Sequence, residues 1–137
     1  MDIFATAYDT DAIENGEWVN DIPGLPGVSL KVRGDNSDAY QAELLRLGRD
    51  APDEDRETDG ALTIEAALKF APEAAHKALL LDWKGIERNG KAMKYDPETA
   101  KLWCTDPRFK HFRKGVLYAA GIVGRRRAKI AGDLEKN

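Results

Sequence analysis

The 137 residues suffice for one domain with a real core and leave little for a second. A composition 42% hydrophobic and 33% charged is that of a globular domain with a charged exterior, too apolar for a wholly disordered chain. The net charge of −3 hides an asymmetry: residues 1–60 carry 15 acids and 5 bases, residues 61–137 carry 9 acids and 16 bases. Such polarity implies either attraction between the two halves or two surfaces meant for different partners. No apolar run approaches the roughly 18 residues of a membrane span. Met1-Asp2-Ile3-Phe4 lacks the basic start of a secretory signal, so neither leader nor membrane contact is expected. A single cysteine, Cys104, with two histidines excludes an internal disulfide and the common structural zinc sites.

In chain order, residues 1–15 read as a loose acidic lead-in. Residues 16–34 read as a β-hairpin: Trp18-Val19 is one strand, and Val28-Ser29-Leu30-Lys31-Val32-Arg33 alternates as the other. The turn-rich Asp21–Gly27 joins them, and such a hairpin needs a helix or a third strand to cover it. Asn36 or Ser37 caps a helix over 38–49, with Tyr40, Leu44, Leu45 and Leu47 on its apolar side. Residues 50–57 form an acidic linker with a proline, expected to be a loop or helix fray.

Residues 58–130 read as a helical part. Ile64, Leu68, Ala71, Ala75, Leu79 and Trp83 recur at helical spacing, with Pro72 inside, giving one kinked helix or two in series. Gly85 and Asn89-Gly90 are stop and turn signals. Asp96-Pro97 and Asp106-Pro107 each open a helix, Asp as cap and Pro at the first helical position. The last helix carries Phe109, Phe112, Val116, Ala120 and Val123 on one side. Its Gly115, Gly121 and Gly124 imply close packing or an end near Gly124, and Ile130 and Leu134 could extend it. The expected fold is α+β and mostly helical: a small N-terminal antiparallel β-hairpin packed on four or five helices, in a single domain.

Chemistry-bearing patterns are few. Cys104 near His111 is a weak nucleophile pair, and a buried structural thiol is the simpler account. The acids after Asp9 and Asp53 break the calcium-loop pattern at its fifth and sixth positions. No glycine is followed by the Lys-Ser/Thr of a phosphate loop. Gly121-Ile122-Val123-Gly124 has the form of an RNA-binding glycine loop but sits late in a helical run. No enzyme, cofactor or metal is therefore expected. Lys110, Arg113, Lys114, Arg125, Arg126, Arg127 and Lys129 form a basic stretch able to meet a nucleic-acid backbone. Cations near a helix C-terminus also answer its dipole, so nucleic acid is the lesser expectation.

Three stretches carry a resemblance: Gly16–Val19 leading through Val28–Arg33 to Asn36–Tyr40; Leu81-Asp82-Trp83-Lys84-Gly85-Ile86 with Asn89-Gly90; and Met93–Ala100 with Leu102. In order and spacing the chain resembles the tail assembly chaperones of long-tailed bacteriophages, over roughly residues 16–127. The resemblance implies a non-catalytic protein that binds the tape measure protein, a very long helical client, helps bring tail tube subunits to it, works in the host cytoplasm and leaves the finished particle. It also implies a short form without a frameshifted extension. The residues expected at the client are Phe109, Phe112, Arg113, Arg125, Arg126 and Arg127. The competing expectations are a nucleic-acid-binding regulator using the basic C-terminal helix, and a head–tail connector or tail terminator.

Overall fold

A strand that alternates Ser29, Leu30, Lys31 and Val32 must bury one face, and in the computed structural model, which describes residues 1–129, it becomes the centre of a sheet. The sheet is antiparallel in the order β1 (Glu17–Val19), β2 (Ser29–Val32), β3 (Leu80–Lys84). Trp18 pairs with Lys31, and Leu30 with Trp83. The register shifts between Lys31 and Val32, leaving Leu81 as the extra residue of a bulge. Leu30 and Val32 are fully buried, while Trp18, on the opposite face, is covered by the Lys84 ammonium 4.0 Å from its ring.

β3 is the third strand that the hairpin required, and it corrects the expected helix over this stretch. The helix α3 (Ile64–Ala74) runs through Pro72 into one turn of π-helix (Ala75–Leu79) and then straight into the strand, so Trp83 is a strand residue. A spacing of four places residues on one face of a strand as well as of a helix, so periodicity alone could not separate the two. Proline has no N–H to give Leu68, which loosens the ladder just before it widens. Two further strands, β4 (Glu87–Arg88) and β5 (Lys91–Ala92), turn through Asn89-Gly90, both at positive φ.

The acidic lead-in is also more ordered than its sequence implied. Asp2 caps a 3₁₀ turn (Ile3–Thr6), and Asp9 caps the short helix α1 (Thr10–Asn15), its carboxylate accepting from Ala12 N at 3.1 Å. The helix α2 (Asp38–Arg49) has the expected span and is capped by Ser37, a fully buried hydroxyl. Asp96 and Asp106 cap α4 (Pro97–Thr105) and the 3₁₀ turn that opens α5 (Lys110–Gly124). The resulting fold is α+β and mostly helical, with five α-helices among the described residues. Ile130 and Leu134, expected to extend the last helix, lie outside the described residues.

The core gathers between the sheet and α5. Val116, Ala119, Ala120 and Val123 are fully buried with Leu30, Val32, Leu79 and Leu80. At one end Trp83 stacks on Trp103 at 5.0 Å, Phe112 meets both edge-on, and the Trp83 indole donates to Met93 O at 2.8 Å. At the other end the loop after β2 closes the C-terminus of α5: Asp35 N donates to Ala120 O and the Asn36 amide to Gly124 O. Arg33 donates to Glu14 O and Ala78 O, fastening the ends of α1 and the π turn.

Candidate partner-binding surface

The helix α3 buries two alanines and leaves two large aliphatic side chains outside. Ala66 and Ala74 are buried, whereas Ile64 is 80% and Leu68 67% exposed. Burying an aliphatic side chain is worth about 1.5–3 kcal/mol, so this orientation forgoes that gain twice. The alanine face lets α3 lie close against α2, where Gly48 leaves room for Leu62. Thr63 fixes the start of α3, its hydroxyl accepting from Ala66 N at 3.1 Å.

Leu45 on α2 is 69% exposed as well. It borders a shallow, mostly apolar depression of about 240 Å³ with Leu44, Gly48, Arg49, Arg56 and Leu62. Arg56 shapes this depression from within: its guanidinium donates to the carbonyls of Gly48 and Gly60, closing the C-terminal end of α2. Leu62 leads directly to Ile64, and Leu68 follows one turn later on the same side of α3.

The rim is acidic. Between Asp50 and Glu65 stand seven acids and one base, and the base, Arg56, is directed at carbonyls. Asp53, Glu54, Glu57, Asp59 and Glu65 are exposed. Asp55 pairs with Lys69 at 3.4 Å, holding the acidic segment against α3 beside Leu68. Further along, Glu43 binds Arg46, and Lys77 reaches both Glu43 (3.7 Å) and Glu73 (3.4 Å). Hydrogen bonding to Arg46, then Lys77, holds the Glu43 carboxyl below its usual range. Burial pushes Glu73 up, and His76 with Lys77 outweighs it in the other direction. His76 Nε2 comes within 3.3 Å of Glu73 Oε1 without hydrogen-bond alignment.

The side chains expected at the partner from sequence do not form one surface. Phe112, at 7% exposure, belongs to the aromatic core, and Phe109 packs half-buried against Trp103. Arg113 is half-buried. Arg125, Arg126 and Arg127 are exposed, but Arg126 binds Glu17 at 2.8 Å, and Arg127 donates to Thr6 O while lying 4.4 Å from the Tyr8 ring. Cys104 is fully buried, and burial pushes its thiol up to about 12, so it is not a thiolate at neutral pH. Among the described residues no three His, Cys, Asp or Glu side chains group to hold a metal ion, and no helix is long and apolar enough to cross a membrane.

Sequence spacing places Leu45 on the apolar side of its helix and Ile64 and Leu68 on one apolar helical face with Leu79, a face that can serve core and client alike. In α3 it is Ala66 and Ala74 that are buried, with Phe70 half-buried between them, and only from Ala75 onward does the first face turn fully inward, through Ala75 and Leu79. Two faces of one helix differ only in rotation about its axis, and at its start side-chain size points to Ile64 and Leu68, which stay outside.

A family model described as YdaY prophage protein matches residues 35–137. No curated protein and no solved structure matches the chain.

Proposed function

The chain belongs to the YdaY prophage protein family, and from that premise we propose that it is a non-catalytic assembly chaperone of the phage tail. Its client is the tape measure protein, which it keeps soluble in the host cytoplasm while tail tube subunits are brought to it, and it leaves the finished particle. The observation that carries this reading is the orientation of α3, which leaves Ile64 and Leu68 outside while alanines fill the core. A chaperone for a long amphipathic helix needs an apolar strip that its own fold does not consume, and helix-to-groove recognition works through anchors at such spacing. The prophage family supports a phage role, and the resemblance in the hairpin, the Trp83–Gly90 turn and the Asp96-Pro97 start supports the tail.

Co-expression with a phage tape measure protein tests the reading. The expected result is a soluble complex that co-purifies without nucleic acid. A client that stays insoluble, or salt-steep nucleic-acid binding without client, would overturn it.

A further inference from the structure

The exposed aliphatic strip of α2 and α3 stands beside a net-negative rim, and this combination specifies a partner more narrowly than apolarity does. We infer that the Leu45–Ile64–Leu68 surface docks a cationic amphipathic helix, one whose apolar stripe is flanked by lysines or arginines. The inference rests on the chaperone reading, since it names the chemistry of the client segment.

Three observations carry it. Ile64, Leu68 and Leu45 are exposed at 80, 67 and 69%, the area that an apolar stripe on a helix would cover. The depression beside Leu45 is open, and its lining is mostly apolar. Among the described residues the neighbouring segment is little neutralised: of its acids Asp55 alone forms an ion pair, with Lys69, Arg56 spends its donors on carbonyls, and Arg49 is the one further cation at the depression. An acidic or neutral helix would meet like charge or leave these carboxylates unanswered, whereas a basic one gains steering and register.

Two synthetic helical peptides test this, identical in their leucine stripe and differing only in lysine or glutamate flanks. Binding to the full chain is read by fluorescence anisotropy, with circular dichroism confirming that each variant folds. The lysine-flanked peptide is expected to bind and the glutamate-flanked one not. Leu68→Ser or Ile64→Ser should each weaken binding about tenfold or more, as loss of one buried aliphatic anchor does. Raising sodium chloride from about 0.1 to about 1 M, which shortens the Debye length from about 10 to about 3 Å, should weaken it further. The combined change Asp53→Asn, Glu54→Gln, Glu57→Gln should reduce that salt dependence.

Equal binding of both peptides would overturn the charge assignment. Binding untouched by either serine variant, or self-association that Ile64→Ser abolishes without any peptide binding, would overturn the docking surface. These failures are separable from failure of the chaperone reading: a tape measure protein kept soluble equally well by the serine variants leaves the chaperone and removes this surface, and lysine-peptide binding without client solubility does the reverse.

Discussion

Gly115 and Gly121 lie on one helix and should answer an added methyl in opposite ways. At Gly115 a Cβ would run into Leu25 and Ile22, so Gly115→Ala should cost about 1–3 kcal/mol through overpacking. At Gly121 it would meet only the Arg125 guanidinium and the Asp35 carboxylate at ordinary contact distance, so Gly121→Ala should stabilise by about 0.4–1 kcal/mol. Urea midpoints of the two variants check both signs. Glu43 gives a pH prediction. Its carboxyl, held below the ordinary 4.5 chiefly by Arg46, contributes stability that is fully present above 4.5 and is lost as pH falls through the lower folded value. Glu43→Gln should therefore flatten the acid side of the stability curve, measured by thermal unfolding from about pH 5 down to about pH 3.

Between elements, the contrast lies along one stretch of chain. Leu79, fully buried at the end of the π turn, should cost about 2–5 kcal/mol as Leu79→Ala. Ile64→Ser, at the other end of the same apolar spacing, should stay within about 0.5 kcal/mol, since it touches little of the folded core. Chemical denaturation of the pair separates packing from surface. The elements with chemical punctuation were legible: Ser37 before α2, and Asp-Pro before α4 and α5, mark helix starts because a short oxygen side chain accepts from free amides there. The glycines of α5 pointed to close packing or an end near Gly124, and the structure has Gly115 against Leu25 and Ile22 and the helix ending at Gly124. What stayed hidden is tertiary. Leu80–Lys84 becomes a strand because β2 lies there to pair with it, and α1 stands because its end is held by Arg33 from far along the chain. For the candidate surface, the apolar stripe was legible but its direction was not, because only packing against α2 decides which side of α3 faces inward.

Across the whole molecule the acidic and basic halves interleave. Glu17 binds Arg126, Glu43 meets Lys77 and Asp55 meets Lys69, so part of the charge asymmetry is answered internally while the 50–65 segment keeps its surplus. The sheet is shared in the same way: residues before 34 supply β1 and the central β2, and β3 comes from the second half. A chain lacking residues 1–34 should lose cooperative unfolding, because Leu80 and Trp83 would have no strand to pair with; a thermal scan would show a broad or absent transition. The two ends of the described chain meet where Tyr8 bridges Arg127, with Asp9 N donating to Arg126 O and Ala128 N to Ala7 O. Closing a loop of that length from an unfolded chain would cost about 4 kcal/mol in entropy, more than so small a fastening can repay. It therefore engages only after the core has carried both ends together, as a late event on the far side of the folding barrier. Tyr8→Ala should accordingly speed unfolding in stopped-flow kinetics and leave the refolding rate unchanged, making this latch a kinetic guard on a fold assembled without it.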